Sequence, residues 1–160
     1  MKRLMLLVAI GVIGAMASNV AIEADEHNTV PGLTAAGAPL GLHGYDPVAF
    51  IDIGDRIEGF ATYTAVHDGV AYYFSSESNL ERFEKTPRKY TPQFGGFCTF
   101  GVSVAKKFDG DPRFAAVENG KLYVFLNEQI FNEFQKDRAG TIAKAERNWR
   151  EIERKAAVSL

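Results

Sequence analysis

Two stretches of the chain share one rhythm of apolar and polar positions. Phe60-Ala61-Thr62-Tyr63-Thr64-Ala65-Val66-His67 has strand composition, meets the turn pair Asp68-Gly69, and returns as Val70-Ala71-Tyr72-Tyr73-Phe74. Ser75, Ser76 or Ser78 can cap a following helix with Leu80 and Phe83 on one face, stopped by Pro87. Further on, Phe114-Ala115-Ala116-Val117 meets Asn119-Gly120 and returns as Lys121-Leu122-Tyr123-Val124-Phe125-Leu126. Helices marked by Ile130, Phe131 and Phe134, and then by Ile142, Ala145, Trp149 and Ile152, follow that pair. The resemblance between the two strand pairs is open to two explanations, duplication or chance.

Between the hairpins, Pro92-Gln93-Phe94-Gly95-Gly96 reads as a loop. The spacing Phe97, Phe100, Gly101, Val104, Phe108 predicts a helix after it. These elements give an α+β fold: a small single domain with two β-hairpins and three to four helices, the C-terminal helices packed on the sheet. Residues 18–40, rich in Ala, Gly, Thr and acids without apolar periodicity, are expected to form a flexible leader. The domain proper is expected over 41–155.

The first residues change the expected compartment. Lys2 and Arg3, the apolar run Leu4 to Ala15 and Ala15-Met16-Ala17 form a secretory signal, with cleavage expected after Ala17. As a helix the apolar run spans about 18 Å, short of a bilayer core of roughly 30 Å, although an uncleaved anchor is the alternative. Removing residues 1–17 leaves 143 of the 160 residues and moves the formal charge from −2 to −4, since Lys2 and Arg3 go with them. The expectation is a periplasmic or secreted protein, off the membrane after cleavage. A mildly acidic chain without clustered Lys and Arg gives no reason to expect nucleic acid.

Export gives the single cysteine its interest, because Cys98 has no partner for an internal disulfide. It is a metal ligand, a redox group, an intermolecular linker or a buried side chain. Placed after two glycines at the start of the expected helix, its thiolate would be favoured by free N–H groups. His67, at the hairpin turn, could meet it, and His43 and Asp46 could complete a site; His27 falls in the expected leader. A His–Cys pair suits a soft or borderline ion such as copper or zinc, or a base and nucleophile. No phosphate-binding glycine loop, His-Glu-x-x-His, Cys-x-x-Cys or Gly-x-Ser-x-Gly is present, and Asp109-Gly110-Asp111 lacks the spacing of a calcium loop. No nucleotide or organic cofactor is indicated, and the inventory leans away from an enzyme.

The motifs Gly44-Tyr45-Asp46-Pro47-Val48-Ala49-Phe50 and His67-Asp68-Gly69-Val70-Ala71-Tyr72-Tyr73-Phe74-Ser75-Ser76 resemble the YHS domain family. So do Pro87-Arg88-Lys89-Tyr90, Pro92-Gln93-Phe94-Gly95-Gly96-Phe97-Cys98, Gly120-Lys121-Leu122-Tyr123 and Ala145-Glu146-Arg147-Asn148-Trp149. The resemblance implies an exported, stand-alone YHS domain-containing protein with a small α+β fold and an association with metals. Ala49 and Ser75 stand where YHS domains attached to metal transporters carry cysteines.

Three functions are therefore expected in turn. The first is binding of a metal ion, copper or zinc, through Cys98, His67, His43 and Asp46. The second is single-thiol redox chemistry at Cys98. The third is a non-catalytic module that binds a small molecule or partner, with Cys98 structural. The chain is expected to be a monomer or weak dimer.

Overall fold

The turn pairs at Asp68-Gly69 and Asn119-Gly120 fix the fold's two hairpins. All four residues have positive φ, between 48° and 76°, as a type I′ turn requires. The computed structural model describes residues 25–160; the expected targeting segment lies outside them. Strands β3 (Phe60–His67) and β4 (Val70–Phe74) form the first hairpin, and β5 (Asp111–Glu118) and β6 (Lys121–Phe125) the second. Two short strands, β1 (Thr29–Val30) and β2 (Leu40–Gly41), extend the first sheet to the order β1-β2-β4-β3. Among the described residues no helix is long and apolar enough to cross a membrane.

Each hairpin feeds a capped helix. The Ser76 side chain accepts the Asn79 N–H to start α1 (Glu77–Lys85), and Asn127 accepts that of Ile130 to start α4 (Glu128–Lys136). Pro87 ends α1 as expected, but also opens the short α2 (Pro87–Tyr90), where proline at the first position is favourable. Helix α5 (Arg138–Ile152) closes the chain. The fold is the single α+β domain expected, with α4 against β5 and β6. Helix α5 packs chiefly on α3 (Thr99–Ser103) rather than on a sheet.

The two halves are one unit repeated. At a spacing of 51 residues, Gly69, Tyr72, Phe74, Glu77, Phe83 and Lys85 recur as Gly120, Tyr123, Phe125, Glu128, Phe134 and Lys136. Both hairpins break register at the same place, between Phe60 and Thr64 in the first and between Asp111 and Ala115 in the second. Upstream, at a spacing of 52, Leu42, His43 and Gly44 turn through positive φ, and so do Phe94, Gly95 and Gly96. In each case the next residue closes the turn: Tyr45 N–H donates to Leu42 O at 2.9 Å and Phe97 N–H to Phe94 O at 3.1 Å. Shared register, bulge, cap and positive-φ turn make the two units structurally equivalent, position by position. Two apolar clusters form, one around Phe74 and Phe83, to which Ala115, Leu122 and Val124 of the second hairpin also contribute, the other around Phe125 and Phe134.

Two expectations are corrected. Residues 25–41 are part of the fold, not a flexible leader. Asn28 N–H donates to Gly95 O at 2.8 Å, its side-chain amide to Gly96 O at 3.1 Å, and Thr29 pairs with Gly41. Backbone and side-chain hydrogen bonds, rather than apolar burial, hold this strap down. The helix expected from Phe97 to Phe108 is only Thr99–Ser103; it is closed by Ala105 at φ 59° and by Lys106 N–H returning to Gly101 O.

Candidate functional site

Cys98 and Asp46 occupy equivalent stations in the two repeats. Each backbone N–H donates into the strand approach behind it, Asp46 to Ile57 O at 2.8 Å and Cys98 to Phe108 O at 2.9 Å. Asp46 Oδ1 caps the segment that follows it, accepting from Val48 and Ala49 N–H at 2.8 and 3.2 Å; Cys98 stands at the N-cap position of α3 without a side-chain cap bond. Each also takes the N–H just past the returning strand, Ser75 for Asp46 at 2.8 Å and Leu126 for Cys98 at 3.3 Å.

The surroundings then diverge. Ser75 Oγ and Asn79 Nδ2 complete a polar cage on Asp46 Oδ2, both at 2.7 Å. Their counterparts beside Cys98 are Leu126 and Ile130, and the thiol lies 1% exposed in the second apolar cluster. Burial raises the Cys98 thiol above its ordinary pKa, against the opposing N–H groups of Gly101, Leu126 and Phe100. The reactive thiolate expected at a helix start is thus disfavoured: α3 is too short and the site too dry.

The four residues expected to share a metal each have partners of their own. Asp46 is fully buried and its oxygens are taken by five donors. His43 Nε2 lies 3.0 Å from Asp109 Oδ1, which Asn28 also contacts. The His67 ring stands edge-on to Phe83 in the first cluster, 6.1 Å between centroids, whereas Cys98 belongs to the second. No three His, Cys, Asp or Glu side chains among the described residues stand together as a preformed ion site.

His67 instead faces a residue that the sequence reading set aside. It lines a cavity of about 80 Å³ with His27, Asp68, Tyr72, Thr91 and Gly95. His67 Nε2 is 3.2 Å from Asp68 Oδ2 but makes no well-formed hydrogen bond with any protein group. Two larger cavities adjoin this one. One, of about 370 Å³, shares His27, Asp68 and Gly95 and adds Glu26, Trp149 and Glu153; the other, about 470 Å³, shares His27 and adds Asp25 and Thr29. Together they form a cleft between the strap and the first hairpin turn. Its charged lining is acidic, from Asp25, Glu26, Asp68 and Glu153.

Lys107 sits behind the cleft. Its ammonium donates to the backbone oxygens of Asp25, of Glu153 at 2.8 Å and of Lys155 at 2.7 Å, over the rings of Phe97 and Trp149. Burial lowers its pKa, opposed by the carboxylates of Asp25, Glu26 and Glu153. It fastens the strap and the segment after α5 to the second repeat. Gly95 lets the strap approach: at φ 60°, its position has no room for a Cβ against the Glu26 carbonyl. His27 escaped sequence reasoning because no periodicity marks the strap. Comparison with protein-family models, curated proteins and solved structures found no match.

Proposed function

We propose that this chain is an exported, YHS-type binding module of two repeats that takes a borderline divalent cation in the cleft under its strap. The observation that carries this reading is the shared cavity of His27, His67 and Asp68. Two imidazoles and a carboxylate are the donor set that zinc- or copper-like ions prefer, and the acidic rim raises local cation concentration. His67 brings a ring nitrogen without a protein hydrogen bond. His27 and Asp68 are the side chains that must turn to meet it, and both reach the surface. The bound ion would be cargo or a stored ligand, and no bond-making step is attached to it. Cys98 serves as a buried acceptor for the Leu126 N–H in this reading, which keeps the family's association with metals but moves it from sulfur to nitrogen.

Calorimetric titration of the chain from residue 18 with zinc(II) and copper(II) tests the proposal. Cys98→Ser should bind as the parent does, while His67→Ala and His27→Ala each weaken binding at least about tenfold, as loss of one of few ligands requires. Loss of uptake in a folded Cys98→Ser protein alone would return the site to the thiol. Absence of uptake by the parent would remove the proposal.

A further inference from the structure

The repeats differ at one groove in a way that points to a second binding surface. In the second repeat the groove between the edge strand β5 and the end of α4 contains Arg138. Its guanidinium donates to Glu118 Oε1 at 2.6 Å and to Gln135 Oε1 at 2.6 Å, and lies 6.0 Å from the Phe134 ring centre. In the first repeat the counterparts, at the same spacing of 51, are Pro87 for Arg138, His67 for Glu118, Glu84 for Gln135 and Phe83 for Phe134.

The guanidinium is thus absent while the aromatic floor remains, and the carboxylate moves from the strand, where His67 replaces Glu118, to the helix, where Glu84 replaces Gln135. A groove of about 360 Å³ stays open there, lined by Thr64 to His67 of β3 with Phe83, Glu84 and Pro87. Strand β3 is the outer strand of its sheet, so its far edge has free N–H and C=O groups along that groove. Its eight residues, Phe60–His67, include no Lys, Arg, Asp or Glu to discourage pairing. Val66 is 48% exposed on it.

We propose that this groove takes an arginine side chain from a partner polypeptide extended along the free edge of β3. Backbone pairing supplies the register, and the guanidinium occupies against Glu84 and the Phe83–Pro87 floor the place that Arg138 fills in the second repeat. The groove shares His67 with the cation cleft, but Glu84 and Pro87, which decide the arginine contact, do not line that cleft.

The test is fluorescence anisotropy with a labelled seven-residue peptide of alternating threonine and valine carrying one central arginine, against the same peptide with citrulline. The arginine peptide should bind about tenfold tighter, the scale of a charge-assisted hydrogen bond. Glu84→Gln should erase that difference. Pro87→Arg, which installs at the first position of α2 the residue that opens α5, should abolish binding of both peptides while leaving the thermal transition unchanged. Equal affinity for the two peptides would overturn the proposal, as would no binding at about 1 mM or persistence of binding in folded Pro87→Arg. A β3-paired dimer that the peptide cannot disperse would also overturn it.

Discussion

Cys98 stands in the second repeat where Asp46 stands in the first, taking the Leu126 N–H as Asp46 takes that of Ser75. The repeat therefore needs an acceptor at this station, and either a carboxylate in a polar cage or a thiol in an apolar one supplies it. That equivalence explains why a lone cysteine sits in a domain without disulfides.

Substitution at Cys98 should rank by how each side chain meets those two demands. Cys98→Ser keeps an acceptor and should cost about 1–2 kcal/mol. Cys98→Ala leaves the Leu126 N–H unanswered and a small void, about 2–3 kcal/mol. Cys98→Asp should cost most, because Leu126 and Ile130 offer none of the side-chain donors that Ser75 and Asn79 give Asp46. Urea unfolding of the three variants checks the order; Asp as the mildest change would refute the equivalence.

The thiol should be slow to react. Burial both hides the sulfur and raises its pKa, so native alkylation at pH 8 should run at least about a hundredfold below that of the unfolded chain. Rates should rise with denaturant. Native labelling as fast as a free thiol would contradict the placement.

Asp111 should make stability sensitive to acid. The Arg113 guanidinium, donating through Nε to both its oxygens, holds its carboxyl below the usual range against an opposing burial effect. A carboxylate with a depressed native pKa stabilises fully above its unfolded value near 4, and that contribution is lost as pH falls through the native value. Asp111→Asn should therefore be less stable than the parent at pH 7 and match it near pH 2. A gap that persists at low pH would assign the effect to packing.

Gly95→Ala should lift the strap. The new Cβ would meet the Glu26 carbonyl and would sit at positive φ. Hydrogen exchange should quicken at Asn28, whose N–H bonds Gly95 O, while β3 and β4 stay protected. Unchanged exchange there would mean the strap is held from elsewhere.

Both hairpins and the Ser76-capped helix were legible in the sequence, with β3 and β4 within their expected limits, because turn chemistry and apolar alternation are local. The strap was not, because Asn28 gains its order from Gly95 and Gly96, remote in sequence. The helix expected through Phe108 satisfied apolar spacing, but the turn back at Ala105 leaves no sequence signal as strong as Gly or Pro. The site was hardest to read. His67 drew notice through its place beside the turn, while His27 became a candidate only once the strap was seen lying over it. Asp46, expected as a ligand, is consumed by capping, a role visible only when its five donors are in view.

The most direct measurement is the NMR response of the imidazole resonances to zinc(II) added to the chain from residue 18. The His27 and His67 ring signals should shift together and saturate at one equivalent, while those of His43 stay in place. Shifts at His43 in preference to the other two, or no saturable shift at any ring, would contradict the proposed site.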